Sequence, residues 1–284
     1  MKRAFRLSVL TMVKEAARAG AVAHLCMALS MGAVAGCAGV GRRADTDLPV
    51  TEKTSPVPEK RASELRPNYL ALAEELIGRG FYQVALANLK EAEAGHADEA
   101  RLYFLMGVCQ RELGRYRQAE RNFKRAIALD RGFAPAYDGL GLVFDMKREH
   151  EKARAAYRKA ISINPARADF YNNLGYSLLL SDDPLGAKGY FAKALAVSPE
   201  FEKALNNMAL CHVMLGEHKE ALGTLKKIYS LDIAYNNLGV MYYLEQDWDK
   251  ARAMYGKALE INPGFRSAAR NLALLRTRKK GVGR

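Results

Sequence analysis

Apolar and small side chains recur with a fixed period through the middle of the chain. Residues 134–165 align with residues 168–199 at an offset of 34, so that Gly141 matches Gly175 and Tyr157 matches Phe191. No run alternates apolar and polar residues as a half-buried strand would. A period of this size is typical of a solenoid, in which each unit buries its apolar face against its neighbours. The pattern therefore predicts an all-α solenoid.

The same frame extends in both directions and divides residues 66–265 into six units. Five units have 34 residues, and the fifth has 30, with the shortfall where its last turn should meet the next unit. The units are Arg66–Glu99, Ala100–Phe133, Ala134–Arg167, Ala168–Phe201, Glu202–Leu231 and Asp232–Phe265. Residues 266–284 repeat a first-helix pattern with an outer face of Arg and Lys. This predicts a capping helix and a basic tail, because the end of a solenoid needs a solvated face.

Small residues occupy two positions of every unit, which we number as slots from the first residue of the unit. Slot 8 holds only Gly or Ala and slot 20 only Ala, so the two helices of a unit can approach closely. Slot 24 holds Leu, Phe or Tyr, which fill the gap between neighbouring hairpins. Pro165, Pro199 and Pro263 are expected to stop second helices, since proline cannot continue the hydrogen-bond ladder. Gly114 and Gly216 fall at the turn between helices.

This arrangement resembles the tetratricopeptide repeat (TPR), a unit of two antiparallel helices in about 34 residues. That family places aromatic residues at slots 4, 11 and 24, Leu-Gly at slots 7 and 8, Ala at slots 20 and 27, and Pro at slot 32. The resemblance covers residues 66–265 and implies an α-solenoid of six helix hairpins plus the C-terminal capping helix. It also implies that the first helix of each unit lines a concave groove.

Three consecutive units carry an asparagine pair at slots 5 and 6, which in this family face the groove. An amide offers donors and an acceptor together, so a row of them can pair with the backbone of an extended peptide. The alternative is that the amides bond neighbouring helices or water. The predicted groove residues are Asn172, Asn173, Tyr176, Lys203, Asn206, Asn207, Leu210, Met214, Asn236, Asn237, Val240 and Tyr243. Only Lys203 matches the family's clamp for a C-terminal carboxylate, so recognition of a free C-terminus is not expected.

The chain has 284 residues and a formal net charge of +13, much of it in the N-terminal segment and the C-terminal tail. A solvated surface facing anionic lipid or acidic partners explains this charge, because the sequence lacks a dense basic stripe with interleaved aromatics and nucleic-acid motifs. Walker, GxSxG, HExxH and CxxC motifs are also absent from the sequence. The histidines at repeat positions are expected to pack as rings. The sequence therefore predicts no catalytic residue, metal or cofactor.

A signal sequence is predicted at the N-terminus. Charged residues precede an apolar run, residues 21–35, which is too short for a comfortable transmembrane helix. Val34-Ala35-Gly36-Cys37 resembles the bacterial lipobox, which implies that residues 1–36 are removed and that Cys37 is acylated. Ala38 after the cysteine implies sorting to the outer membrane, with the protein on the periplasmic face. Translation from Met12 would give a more ordinary signal, and an uncleaved anchor helix is the alternative.

The next segment and the remaining cysteines have simpler interpretations. Residues 37–65 carry the lipidated cysteine and a stretch rich in Pro, Ser, Thr and charge, which predicts a disordered linker. Cys109 and Cys211 lie three units apart, beyond the reach of a disulfide. They are expected to be small buried thiols.

These observations predict a non-enzymatic, lipid-anchored scaffold that binds proteins through extended segments. The segments NNLGYSLLL, ALNNMALCHVMLGEHKEAL and AYNNLGVMYYLEQ, with the short fifth unit, resemble the TPR lipoprotein of the tight-adherence (Flp) pilus system. Relatives in type IV pilus biogenesis help the outer-membrane secretin to assemble. Assembly of a pilus or secretion apparatus is therefore expected. The alternatives are a cell-envelope regulator that docks a peptidoglycan enzyme and, disfavoured because no span outside the repeats could hold a catalytic domain, an enzyme.

Overall fold

The computed structural model describes residues 69–279, which form thirteen α-helices. The predicted signal sequence, Cys37, the linker and the end of the basic tail lie outside this range. The helices are α1 Tyr69–Gly78, α2 Tyr82–His96, α3 Ala100–Glu112, α4 Tyr116–Leu129, α5 Ala134–Met146, α6 His150–Ile163, α7 Ala168–Leu180, α8 Pro184–Val197, α9 Glu202–Met214, α10 His218–Leu225, α11 Leu231–Leu244, α12 Trp248–Ile261 and α13 Arg266–Lys279. Within the described range, none of these helices has the length and apolar character needed to cross a membrane.

The helices pack in chain order as hairpins. Each odd-numbered helix from α1 to α11 packs on the helix that follows it, and that helix packs on the first helix of the next unit. The first helices of neighbouring units also contact one another, whereas no comparable contact joins the second helices in the described range. The first helices therefore form the inner, concave side. We call α1, α3, α5, α7, α9 and α11 the inner helices, and α2, α4, α6, α8, α10 and α12 the outer helices.

This architecture confirms the predicted all-α solenoid of six hairpins. The helix α13 packs on α12 and α11 at the C-terminal end, as expected of a capping helix. The outer helices α6, α8 and α12 end two residues before Pro165, Pro199 and Pro263, in agreement with the predicted stops.

The turn between the two helices of each unit requires a left-handed residue at slot 15. The φ angles there are +80° at Gly80, +71° at Gly114 and +79° at Gly216. The other three units place Arg148, Asp182 and Gln246 in the same conformation, with φ angles of +60° to +62°. The geometry of stacking therefore fixes the turn even where the side chain makes it unfavourable.

The core is built from contacts between slot 8 of an inner helix and slot 24 of its outer helix. All six slot 20 alanines are fully buried, and so are the side chains of Leu89, Phe123, Tyr157, Phe191 and Leu225 at slot 24. A Cβ added at Gly141 would lie 2.5 Å from Cε1 of Tyr157, and one added at Gly175 would lie 2.7 Å from Cε1 of Phe191. Slot 8 is therefore glycine because an aromatic ring occupies the space.

The two slots vary together along the chain. Units with an aromatic ring at slot 24 have glycine at slot 8, and units with leucine at slot 24 have alanine at slot 8. The pairs are Gly107 with Phe123, Gly141 with Tyr157, Gly175 with Phe191, Gly239 with Tyr255, Ala73 with Leu89, and Ala209 with Leu225. A unit that lacks the methyl group at slot 8 thus has room for the larger aromatic side chain at slot 24.

The short fifth unit loses the second half of its outer helix. Helix α10 has 8 residues, against 14 in α8 and α12, and it ends at Leu225 in a hydrogen-bonded turn. Ile228, which the repeat frame places at slot 27, lies outside the helix and is half-buried, whereas the alanines at slot 27 are buried in the other units. The shortening changes the junction between units five and six, as described below.

Candidate functional site

Two rows of partly exposed apolar side chains run along the inner helices. At slot 9 the row consists of Val108, Leu142, Tyr176, Leu210 and Val240, all half-buried. At slot 13 it consists of Met146, Leu180, Met214 and Leu244, of which Met146 is exposed and the others are half-buried. The slot 9 row extends over units two to six and the slot 13 row over units three to six, so the apolar lining reaches further towards the N-terminus than the asparagine pairs do.

The structure places the predicted groove residues at different depths. Tyr176, Leu210, Met214, Val240 and Tyr243 are half-buried, and Lys203 is exposed. Asn173 and Asn207 are also half-buried. The remaining four asparagines are buried, namely Asn172, Asn206, Asn236 and Asn237.

The asparagines form hydrogen bonds from one unit to the next. Asn207 Nδ2 donates to Asn172 Oδ1 at 2.9 Å, and Asn271 Nδ2 in α13 donates to Asn236 Oδ1 at 3.1 Å. Asn173 Nδ2 donates to Asp138 Oδ1 at 2.9 Å. In each case slot 6 of one unit donates to slot 5 of the unit before it. We call this series the amide ladder, and it stabilises the stacking of inner helices.

The amide ladder is interrupted between units five and six. The corresponding atoms there are Asn237 Nδ2 and Asn206 Oδ1, and both are buried without a hydrogen-bond partner in the described residues. Asn206 Nδ2 instead donates to the hydroxyl of Tyr229 at 2.7 Å, and that hydroxyl donates to Glu202 Oε1 at 2.5 Å. Tyr229 belongs to the segment that follows the shortened α10. The four missing residues therefore change the partner of one ladder amide.

The ladder predicts different costs for two similar substitutions. Asn207→Ala should lower the free energy of unfolding by about 1–2 kcal/mol, because it leaves the buried Asn172 Oδ1 without a donor. Asn237→Ala should cost less, because the Nδ2 that it removes already lacks a partner and the Oδ1 accepts only a long bond of 3.3 Å from Asn236 Nδ2, against the 2.9 Å bond lost in Asn207→Ala. Urea unfolding followed by circular dichroism compares the two variants with the parent protein. Equal losses in both would contradict a stabilising role for the ladder.

Unit three has an aspartate where units four to six have asparagine at slot 5. Asp138 is buried, and burial raises its pKa to about 7 although the bond from Asn173 acts in the opposite direction. Asp169 nearby also raises this pKa, and Arg111 and Arg167 lower it. Asp138 is not among the groove residues predicted from the sequence. The alignment of slot 5 with the asparagines could have identified it.

The Asp145 carboxylate, whose side chain is 7% exposed, joins units three and four. Its oxygens accept from the Tyr157 hydroxyl at 3.0 Å and from Ser177 Oγ at 2.8 Å, and His150 Nδ1 lies 2.8 Å from Oδ1. His212 Nδ1 lies 2.5 Å from Glu217 Oε2 in unit five. Each of these two histidines is therefore held by a carboxylate, a partner that the sequence did not predict.

The remaining candidates for chemistry are two buried cysteines and His218. Cys109 and Cys211 are free and fully buried, as predicted, and burial raises the pKa of their thiols to about 11 and about 12. His218 contacts the ring of Tyr242 edge-on at 5.2 Å. Within residues 69–279, no group of three or more His, Cys, Asp or Glu side chains is arranged to hold a metal ion.

Helix hairpins stacked in chain order, with a small residue facing a large one across each hairpin, define a protein of the α-solenoid class. Four family models described as tetratricopeptide repeats match residues 70–116, 100–133, 148–181 and 233–265. The chain therefore contains repeats of the tetratricopeptide-repeat family. Proteins of this family typically act as scaffolds for other proteins.

Solved structures share this fold at low sequence identity. The structure of pilF from Pseudomonas aeruginosa matches with a TM-score of 0.57, 19% identity and coverage of 74% of this chain and 98% of that chain. Cut9–Hcn1 of the APC/C matches with a TM-score of 0.53, 20% identity and coverage of 75% and 46%. YrrB, a TPR protein with an unusual peptide-binding site, has a TM-score of 0.47, 24% identity and coverage of 64% and 96%. The sequence has no significant match among curated proteins.

Proposed function

We propose that this chain is a non-enzymatic scaffold that holds protein partners along its inner helices. The observation that carries the proposal is the pair of apolar rows at slots 9 and 13. Contiguous apolar surface that stays partly exposed on a folded protein is typical of interaction sites. Side chains such as Leu210 and Met214 offer contacts for apolar residues of a partner, and Met adapts to irregular shapes. The exposed Lys203 adds one cation at the edge of this surface.

Fewer asparagines are available to a partner in the proposed groove than the sequence predicted. Asn173 and Asn207 are half-buried, and each donates through Nδ2 in the ladder. Asn173 Oδ1 also accepts from Asn172 Nδ2 at 3.3 Å, whereas no side-chain donor within residues 69–279 bonds to Asn207 Oδ1, which can therefore accept from a partner backbone. The buried members of the pairs support the stacking of units. The apolar rows therefore carry most of the proposed affinity, with the half-buried amides setting the register of an extended segment.

We further propose that the scaffold is lipid-anchored at Cys37 on the periplasmic face of the outer membrane and serves assembly of a pilus or secretion apparatus. The lipobox-like segment before Cys37 and the likeness of residues 172–246 to the tight-adherence TPR lipoprotein support this part. The structural similarity to pilF concerns the fold alone. Neighbouring genes for a secretin and a pilus ATPase would add independent support.

Affinity capture from solubilised envelopes tests the groove. The double variant Leu210→Lys/Met214→Lys should recover at least tenfold less partner, because charged side chains replace two apolar contacts of about 1–2 kcal/mol each. The matched control is Leu185→Lys on α8, where the side chain is 70% exposed and belongs to an outer helix. Circular dichroism verifies that both variants keep their helices. Equal recovery by the groove variant and the control would contradict the proposal.

The identity of the captured proteins tests the biological role. Secretin or pilus components, lost from the groove variant and retained by the control, are the expected result. Peptidoglycan hydrolases or synthases captured in their place would support the alternative of a cell-envelope regulator. If a variant without Cys37 loses its membrane localisation but still captures the same partners, the anchor and the groove act independently.

A further inference from the structure

The inner and outer helices carry opposite net charge. The six inner helices contain eight Asp or Glu and three Lys or Arg, which gives a formal charge of −5. The six outer helices contain seven Asp or Glu and fifteen Lys or Arg, which gives +8. The basic excess of the solenoid is therefore concentrated on the side opposite the proposed groove. A charge separation of this kind orients a protein in the field of a charged surface.

Every unit places a cation at the same outward position. Slots 25 and 26 hold at least one Lys or Arg in all six units, and each of these side chains is exposed. They are Lys90, Lys124, Arg125, Arg158, Lys159, Lys193, Lys226, Lys227 and Lys257. The repeat therefore produces a row of cations with the spacing of one unit along the solenoid.

Over the whole length of the outer helices, cations are most numerous on α4 and α6, which belong to consecutive units and carry four Lys or Arg each. Arg117, Arg121 and Arg125 follow one another at i, i+4 and i+8, so they project from one face of α4. Arg117, Arg121 and Arg158 have no carboxylate partner in the described residues, whereas Lys124 pairs with Glu120 at 2.7 Å. We define the outer cationic face as Arg117, Arg121, Lys124, Arg125, Arg158 and Lys159. Its charge is therefore only slightly neutralised by the protein itself.

We propose that the outer cationic face docks on an anionic lipid surface. Exposed basic side chains close to such a surface are attracted to its headgroups. Single-stranded nucleic acid is the less suitable polyanion, because its binding sites combine cations with exposed aromatic rings for base stacking. The aromatic residues of α4 and α6 are buried or half-buried instead, as Phe123, Tyr157 and Tyr116 show. The choice of a membrane rests on the proposed anchoring at Cys37.

The docked orientation has a consequence for the groove. Because the outer helices face the lipid, the inner helices and their apolar rows face away from it. The net negative charge of the inner helices is repelled by the same surface, which favours this orientation over the reverse one. The protein would thus present its groove to partners while the acyl chains and the outer cationic face hold it to the bilayer.

Vesicle sedimentation of the full-length chain tests the proposal. Partition is measured on vesicles of phosphatidylcholine alone and of phosphatidylcholine with 30% phosphatidylglycerol. The ratio of partition on anionic vesicles to partition on neutral vesicles isolates the contribution of charge, because an acyl anchor or an apolar leader inserts into both kinds of vesicle. We expect a ratio of at least ten at low salt that falls as NaCl is raised, since ions screen exposed charges. A ratio near one for the parent protein would overturn the proposal.

The decisive comparison uses two triple variants with the same change in charge. Arg117→Gln/Arg121→Gln/Arg158→Gln should lower the ratio at least tenfold, given about fivefold for each arginine near an anionic surface. Arg79→Gln/Arg266→Gln/Arg270→Gln, at exposed positions outside the outer cationic face, should change the ratio less than threefold. Equal losses in both variants would mean that only net charge matters. Tighter binding to a single-stranded RNA 20-mer than to anionic vesicles would replace lipid with nucleic acid as the ligand.

The same experiment keeps the two proposals separate. Loss of the anchor at Cys37 would lower partition on both kinds of vesicle and leave the ratio unchanged. If the outer cationic face does not bind anionic lipid, the ratio would be near one, while an anchored protein would still sediment with both kinds of vesicle. Capture by the groove uses inner-helix residues, so it is measured independently of either result.

Discussion

Replacing Asp138 with asparagine should stabilise the protein more at alkaline pH than in mild acid. We expect the gain in the free energy of unfolding at pH 8.5 to exceed the gain at pH 5 by about 2–3 kcal/mol, at about 1.4 kcal/mol per pKa unit. The asparagine can still accept the hydrogen bond from Asn173, as Asn172 accepts from Asn207 in the next unit. The variant would therefore keep this hydrogen bond of the amide ladder with a neutral acceptor.

The sign of this effect follows from the direction of the pKa shift. Burial raises the pKa of Asp138 to about 7 in the folded protein, from 3.8, so between these values the folded state binds a proton that the unfolded state has released. Stability is then highest below the unfolded pKa and falls as pH rises through the folded pKa. Asparagine does not titrate, so the variant lacks this loss.

Urea unfolding at pH 5 and pH 8.5 measures the difference. Both proteins share all other titrating groups, so subtracting the parent from the variant isolates Asp138. Asp182→Asn is the matched control, because Asp182 is exposed and lies at the left-handed turn position, which asparagine also adopts. A stability gain for Asp138→Asn that is the same at both pH values would show that the carboxyl is already ionised in the folded protein at pH 5.

Replacing Gly141 with alanine should lower the free energy of unfolding by about 2–4 kcal/mol. In an exposed helix the same change is normally stabilising, because glycine loses more backbone freedom on folding. At Gly141 the new methyl group would lie 2.5 Å from Cε1 of Tyr157, whose ring is fully buried. The Tyr157 hydroxyl also donates to Asp145, so the ring cannot shift without losing a buried hydrogen bond.

Two further variants test the cause of this loss. Gly189→Ala on α8, where a Cβ meets no atom within 4 Å, should gain about 0.5–1 kcal/mol. The double variant Gly141→Ala/Tyr157→Leu reproduces the pair that units one and five already use. It should therefore be more stable than the sum of the two single changes by about 1–3 kcal/mol. Additive losses would indicate that backbone distortion, rather than contact with the ring, explains the glycine.

The repeat could be predicted from the sequence because its signals are local and recur at a fixed period, in all six units for the small residues at slots 8 and 20. Proline after an outer helix, alanine at slot 20 and a glycine at the turn each act through backbone sterics within one hairpin. The pairing of Gly141 with Tyr157 was also present in the sequence, in the covariation of slots 8 and 24. Its physical meaning became clear only from the distance between the two side chains.

The depth of the asparagine pairs could not be read from their slots. Asn173 and Asn172 are adjacent in sequence, yet the first is half-buried and the second is buried, because the next inner helix covers one and not the other. The interruption at Asn206 and Asn237 depends on how the shortened α10 alters the approach of two inner helices. Such contacts join residues about 31–35 positions apart, beyond the reach of local pattern.

The sequence by itself determined the helical hairpins, their number, their register and the small residues at their crossings, because these depend on short-range sterics repeated at a fixed period. Only the tertiary structure decided which amides hold the units together, why the pKa of Asp138 is raised, and that the charges divide between the inner and outer helices. Burial and the partners of a polar atom are properties of the stacked units, since they depend on which neighbouring helix excludes water from that atom.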